Sequence, residues 1–172
     1  MAKETKYIGI DLSTKTGFAA LNRSGEVISA KEITSEYDKD PKRMIALTDQ
    51  IVNELSRNDV ICIEGFSYAS RGRGMDFQFG IGHYVRNTLY KNGVDYTIVA
   101  PSQVKKFATG KGNASKDNMI LPIYKNWGFE HESDNVRDAY VLAQIARSLH
   151  HNVDLYKYQK EIIKDLKKEV TK

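Results

Sequence analysis

The sequence predicts a mixed α/β fold in which a five-stranded sheet, an antiparallel meander joined to parallel strands, is covered by helices. Three observations lead there. Three short apolar or β-branched runs follow one another across tight turns near the N-terminus. The continuous apolar run VICIEGF comes only after a helical segment. Beyond it, several segments carry apolar residues every three or four positions.

The meander strands are KYIGIDL, TGFAALN and GEVISAKEIT, bounded by turn chemistry such as NRSG; links this short require antiparallel pairing. From Asp40 to Arg57, the residues Met44, Ile45, Leu47, Ile51, Val52 and Leu55 recur at helical spacing, with Asp40 placed as a cap and Pro41 as a first-turn proline. VICIEGF is apolar throughout, as a strand covered on both faces should be, and its helical link to the meander favours parallel pairing. Asp76 to Lys91 predicts a second helix, in which Gly80 and Gly82 lower helix propensity but permit close packing, and the pair NG ends it before strand VDYTIVA. A helix can start after Pro101. Lys116 to Trp127 and Ser133 to Leu149 predict two more, the second with Val136, Tyr140, Ala143 and Ala146 or Arg147 at helical spacing. Residues 153–172 read as a C-terminal amphipathic basic helix of a single domain spanning 1–172, with no internal repeat or low-complexity stretch to divide it.

A chain of 172 residues with 41% hydrophobic and 28% charged content suits one globular domain. No apolar segment approaches the roughly 20 residues needed to cross a bilayer, and MAKETK leads into a strand pattern without a signal-peptide core, so a cytoplasmic protein without a membrane partner is expected. The single cysteine, Cys62, lies within an apolar run and reads as a reduced, buried thiol, which excludes Cys-based zinc chemistry. The net charge of +4 is modest, but its distribution is uneven. From Pro101 to Lys116 there are four lysines (Lys105, Lys106, Lys111 and Lys116) and no acids; from Gly65 to Met75 there are two arginines (Arg71 and Arg73) and again no acids. Such stretches suit a polyanion, although a single basic residue is more often simply solvated.

In the expected sheet Asp11 and Glu64 stand at the carboxyl ends of adjacent central strands. In HESDNVRDAYVLAQIA, Asp134 and Asp138 are four residues apart and project from one face near a helix N-terminus, with Asn135 close to that face. Like charges so placed repel unless a cation lies between them. The competing reading makes Asp134 a helix cap, or leaves both aspartates solvated. Two carboxylates at the ends of apolar strands shift the balance, because burial penalises unpaired charge. Clustered carboxylates without Cys or His at ligand spacing favour Mg²⁺ or Mn²⁺ over zinc. Two such ions would orient water and stabilise the leaving oxygen in phosphodiester hydrolysis. His83, His150 and His151 read as structural or surface residues, His131 as a possible modulator of the acids, and Trp127 as core.

IGIDLSTKTGFA, ICIEGF and DNVRDAYVLAQIA, in that order and spacing, resemble the RuvC-type Holliday-junction resolvases of the RNase H-like superfamily, particularly bacteriophage-encoded members. VAPSQVKKFATGKGNASK resembles that family's lysine-bearing segment, so the resemblance runs to about Leu149. It implies an RNase H-like fold and a structure-selective crossover junction endodeoxyribonuclease of the bacterial cytoplasm. Such an enzyme would act on four-way and other branched DNA with Mg²⁺, Mn²⁺ substituting, at two ions per site and without a small-molecule cofactor.

The catalytic and metal-binding acids implied by the resemblance are Asp11, Glu64, Asp134 and Asp138. The cellular pattern usually places an aspartate three residues before the last acid, where this chain has Asn135. Asp134 is taken as the fourth ligand, with the Asn135 carbonyl oxygen as the alternative. Lys105, Lys106, Lys111 and Lys116 match the phosphate-contacting region, and one of them could stabilise charge at the scissile phosphate. In EGFSYASRGRGMDF, Phe66 and Tyr68 are candidate wedges at the crossover, with core packing the alternative for Phe66, and Arg71 and Arg73 are candidate backbone contacts. Symmetric cutting of two strands calls for two active sites and hence a homodimer, for which the helix from Asp76 to Lys91 is the candidate interface.

Other functions fit less well. Actin-like and sugar-kinase ATPases share the opening acid and turn but need a second lobe, for which the chain is too short. An RNase H-like nuclease acting on RNA or an RNA:DNA hybrid sits less easily with the lysine segment and the arginine loop. A non-catalytic binder of branched DNA would not need Asp11 and Glu64.

Overall fold

The computed structural model describes residues 4–68 and 74–170. Alternation along the central strand sets the architecture. In β1 (Tyr7–Asp11) the side chains of Ile8 and Ile10 enter one apolar cluster and Tyr7 enters another, so the strand is buried on both faces. β2 (Lys15–Leu21), β3 (Val27–Thr34), β4 (Val60–Glu64) and β5 (Thr97–Val99) complete a sheet in the order β3-β2-β1-β4-β5. β1 to β3 pair antiparallel, and β4 and β5 add in parallel, which is the expected mixed sheet.

Helices α1 (Lys42–Asn53) and α2 (Met75–Lys91) cover one face, where Leu47, Ile51, Ile81 and Val85 bury against Ile8, Ile10, Ile61 and Ile63. Helices α3 (Pro101–Thr109), α4 (Lys116–Trp127), α5 (Asp134–His150) and α6 (Lys157–Val170) cover the other. The two glycines of α2 serve close packing: a methyl group at Gly80 would stand 2.8 Å from the Met44 side chain, and one at Gly82 would strike the Phe66 ring. Cys62 is buried, and Trp127 is half-buried between the rings of Phe107 and Tyr140. No helix among the described residues is long and apolar enough to cross a membrane.

Two local expectations fail for identifiable reasons. Asp40 does not cap α1: its carboxylate is taken by the Arg43 guanidinium at 2.7 Å, and Pro41 occupies the capping position itself. VDYTIVA yields a strand only from Thr97 to Val99, because the residues before it finish the preceding helix. Gly93 adopts φ +66 and the Val94 amide donates to the Leu89 carbonyl at 3.0 Å.

α5 crosses the middle of the sheet in backbone contact with it. A methyl group on Gly9 would lie 1.9 Å from the Ala139 carbonyl oxygen, and one on Gly17 would lie 1.9 Å from that of Asn135. Neither neighbour is the movable end of a side chain. Gly9→Ala should therefore lower the unfolding free energy by about 3 kcal/mol or more, at or beyond the upper end of ordinary overpacking costs. Urea unfolding of the variant against wild type measures this, and a loss below about 1 kcal/mol would mean that α5 can lift off the sheet.

Candidate active site

Strand register and pleat bring the first two acids together. β1 and β4 pair with Ile10 opposite Ile63, so Asp11 and Glu64 lie one step further along, at the carboxyl ends of both strands. Both share the parity of residues on the α5 side of the sheet: Asp11 that of Tyr7 and Gly9, Glu64 that of Cys62. α5 lies over that face with its N-terminal turn above the strand ends. Ser133 caps this helix, its Oγ accepting from the Val136 amide at 3.4 Å. Asp134 is thus the first helical residue and not the cap, and Asp138 stands one turn further in.

Burial governs the electrostatics. Asp11 is only 7% exposed. Desolvation is the main cause that pushes its pKa up to about 6, partly offset by a hydrogen bond with Glu64 and by the charge of Lys116. Desolvation likewise drives Glu64 up to about 9, reinforced by the charges of Asp11 and Asp138, and Asp138 up to about 7, reinforced by Asp11. A hydrogen bond between two carboxyl groups needs one proton, so Asp11 and Glu64 titrate as a pair.

Lys116, the first residue of α4, reaches into this field and pairs with the Asp134 carboxylate. Burial works against the ammonium, but the hydrogen bond and charge of Asp134, with Asp138 and Asp11 behind it, hold its pKa above the ordinary value. The same hydrogen bond holds Asp134 below the usual carboxylate range.

The geometry brings four acids and one lysine from β1, β4, α4 and α5 to one end of the sheet, beside a narrow cleft of about 40 Å³ that includes Asp11, Glu64, Phe66 and Gly82 in its lining. Surface grooves of about 510 and 710 Å³ lie around the ends of α5 and α6 and the start of β4, away from the acids. Each of them contains His150 in its lining and neither includes Asp11, Glu64, Asp134 or Asp138. The acids and not the groove volume single out this end of the sheet as the candidate site.

No protein-family model matches the chain, and no curated protein does. Solved structures do. Thermus thermophilus RuvC in complex with a Holliday junction substrate is 19% identical with a TM-score of 0.61, over 81% of this chain and 91% of that one. A second Thermus thermophilus RuvC structure is 17% identical with a TM-score of 0.63, over 82% and 93% respectively. The chain has the RuvC fold. The RNase H-like architecture expected from the sequence is therefore present.

On this RuvC fold the remaining candidates occupy distinct places. Asn135 turns away from the acids: its amide donates to the Lys15 carbonyl at 2.8 Å and ties α5 to the β1–β2 turn. Lys105 is half-buried on α3, Lys111 is exposed just beyond that helix, and Lys106 forms an ion pair with Glu161 of α6 at 3.5 Å. Phe66 is half-buried against α2, whereas Tyr68 is 81% exposed. Arg71 and Arg73 lie outside the described residues. His131 does not face the acids; its Nδ1 accepts from the Ser133 amide at 3.0 Å and so orders the approach to α5. Sequence reasoning missed Arg137, which is buried and donates to the carbonyls of His131 and Glu132 at 2.7 and 3.0 Å, closing the same approach. Its position next to Asp138 was the only signal.

The donor set suits a hard cation, because three of its carboxyls are driven toward the protonated form by burial and mutual repulsion, which a positive charge would relieve. Among the described residues, no three His, Cys, Asp or Glu side chains are already drawn around a common ion position. Proton and lysine balance the charge instead. In metal-free buffer the folded pKa values of Asp11, Asp138 and Glu64 lie above those of the unfolded chain. Their protonation therefore favours the folded state at low pH, and that stability is lost as pH rises from about 4 through about 9. Denaturant unfolding in EDTA should show wild type losing stability across this window, while Glu64→Gln shows a clearly flatter profile. Equal slopes for the two proteins would show that the acids are not buried together.

Proposed function

We propose that this chain is a divalent-metal-dependent endonuclease that cuts branched DNA and resolves four-way junctions by phosphodiester hydrolysis. The observation that carries the reading is the convergence of buried Asp11 and half-buried Glu64, on neighbouring parallel strand ends, with Asp138 on the helix above them. The likeness to RuvC, one structure of which holds a Holliday junction substrate, supports the choice of DNA over other phosphodiesters.

Asp11, Glu64 and Asp138 would hold Mg²⁺ or Mn²⁺, with Asp134 as fourth ligand and two ions per site. When bound, the metal supplies Lewis acidity and an activated water. The protein's own groups do the rest. The Asp11–Glu64 pair gives up its shared proton as positive charge arrives. Lys116 places an ammonium beside the acids, where negative charge develops on a scissile phosphate. Lys105 and Lys111 contact the DNA backbone, Lys106 joins them by leaving Glu161, and Arg71 and Arg73 are kept as backbone contacts on the strength of the sequence alone. Tyr68 offers an exposed ring that can stack where a branch point has broken the base stack. Two sites are needed for paired cuts, so the active species is a homodimer. Tyr84 and Tyr90, 40% and 82% exposed on α2, offer apolar surface for that contact. On this reading the protein works in the cytoplasm of a bacterial cell, as a phage-encoded resolvase would.

Cleavage of a four-way DNA junction, a linear duplex of the same sequence and an RNA:DNA hybrid, each with Mg²⁺, Mn²⁺ or EDTA, tests the reading. Metal-dependent cutting confined largely to the junction is expected. Asp11→Asn and Glu64→Gln should lose cleavage by about a hundredfold or more, within the range that general acid–base and electrostatic groups supply. Both should bind the junction at least as well as wild type, because a negative charge facing phosphate has been removed. Preferential cutting of the hybrid would instead make the chain a nuclease acting on RNA.

Asp134 and Asp138 should separate in the same assay. Because Ser133 already caps α5, Asp134→Asn disturbs no cap, and any loss of activity reports on the metal or on Lys116. A loss close to that of Asp138→Asn makes Asp134 a ligand. Full activity in Asp134→Asn removes it from the site and leaves three acids.

A further inference from the structure

One face of α2 carries a notch. Phe79, Gly82, His83 and Arg86 recur at three- and four-residue spacing and so line one side of the helix. The Phe66 ring, arriving from the end of β4, fills the gap above Gly82, where a methyl group would stand 2.3 Å from Phe66 Cε1. The rings of Phe79 and His83 flank it at centroid distances of 4.7 and 5.0 Å. Arg86 closes the notch with its guanidinium 4.2 Å from the Phe66 centroid.

Arg86 does more than cover a ring. Its Nη2 points at the backbone carbonyl oxygen of Glu64, at the 3.5 Å limit of a hydrogen bond. Its Nε is buried and finds no hydrogen-bond partner among the described residues. An unmet buried donor costs on the order of 1–3 kcal/mol, so a side chain needed only to fill this space would be better apolar. The same cluster carries Tyr68, whose ring lies 6.3 Å from that of Phe66 and 6.0 Å from that of Phe79 while remaining 81% exposed.

We infer that Arg86 and Gly82 are positioning residues for branch-point recognition: they lock Phe66 onto α2, fix the peptide that carries Glu64, and aim Tyr68 outward at branched DNA. Phe66 is then the anchor and Tyr68 the wedge. The inference rests on the nuclease reading above, so its test has one arm that needs no DNA.

In that arm the protein is labelled with 3-fluorotyrosine, and the Tyr68 signal is assigned in the ¹⁹F spectrum by its loss in Tyr68→Phe. Arg86→Lys keeps the charge and loses the planar stack; Gly82→Ala fills the notch. Both should move the Tyr68 signal toward that of the unfolded chain, whereas Arg57→Lys, an arginine bonded to the Asn92 carbonyl, should not. In the second arm, Arg86→Lys should bind linear duplex as wild type does, because net charge is kept. Its preference for a four-way junction over duplex should fall by about tenfold, the scale of one cation–π contact or one stacked base. Its kcat on the junction should fall more than its KM rises. A general structural defect would instead weaken duplex and junction binding together.

A Tyr68 signal unmoved in Arg86→Lys overturns the inference, as does a moved signal with wild-type junction preference. If Gly82→Ala fails to fold, the Arg86→Lys arm decides alone. A moved signal in a protein whose wild type already binds duplex and junction equally overturns the branched-DNA part of the reading above, and the recognition role with it, while the lock itself stands.

Discussion

The acidic end of this molecule depends on α5 lying in direct backbone contact with β1 at Gly9 and with β2 at Gly17. The Ala139 carbonyl occupies the space a methyl group at Gly9 would need, and the Asn135 carbonyl does the same at Gly17. These contacts set the acids. Asp11 follows Gly9 by two residues on the same face of the strand and is the cross-strand partner of Gly17. Asp138 immediately precedes Ala139. Each contact therefore fixes one approach of the helix to Asp11, and the distance between the two fixes the direction in which the helix runs. A larger residue at either glycine would lift the N-terminal turn of α5 away from the strand ends and open the acid cluster without touching an acid.

That closeness forces carboxyl groups into a poorly solvated place, which is unfavourable and persists only because the surroundings over-determine it. Tyr140, Ala143 and Ala146 of α5 are buried in the same cluster as Ala19, Leu21 and Cys62 of the sheet, and their burial does not depend on the protonation of Asp11. Packing therefore supplies the stability and the acids draw on it. The ion pair between Lys116 and Asp134 is of another kind. Its side chains are 54% and 38% exposed, a setting in which such pairs contribute about 0–1 kcal/mol. It neither holds α4 in place nor resists exchange of Asp134 for another anion. A lysine held this loosely keeps its charge near the buried acids while remaining available to a phosphate.

Much of this was legible in the sequence, for reasons that differ by residue. Asp11 and Glu64 could be paired because each ends an apolar run, where a carboxylate has no ordinary purpose, and because a helical crossover makes the two strands parallel neighbours. The inward face of α5 followed from its spacing of apolar residues. Asp134 could not be separated from a helix cap, since Ser133 and Asp134 are both good capping residues and only geometry decides between them. Asp40 was misread for a related reason: a carboxylate near a helix start can serve either the backbone or a neighbouring arginine, and Arg43 competes successfully. Gly82 was legible as a site of close approach, but the identity of Phe66 as its partner was not, because that contact joins a loop to a helix with no repeating pattern between them. Arg86 left no signal at all, since in the sequence it is one more charged residue on an amphipathic helix.

The two faces of the sheet divide the labour, and the chain changes face within two residues. Glu64 belongs to the α5 side, with the acids; Phe66 belongs to the α2 side, with the notch. Gly65 lies between them, its amide donating to the Val99 carbonyl at 2.7 Å and thereby prolonging the β4–β5 pairing one step past Glu64. A methyl group there would come within 3.2 Å of Ile98 Cγ2 and 3.4 Å of that same carbonyl, so a larger residue would press on the edge strand. The backbone at the crossing is thus held from one side by β5 and from the other by the Arg86 guanidinium near the Glu64 carbonyl. Since the same short peptide carries an acid toward α5 and an aromatic anchor toward α2, a displacement of the anchor is transmitted through only two peptide units to the acid. Under the proposed reading, recognition of a branch by Tyr68 and placement of Glu64 would therefore be mechanically one event, with no long-range conformational change required to couple them.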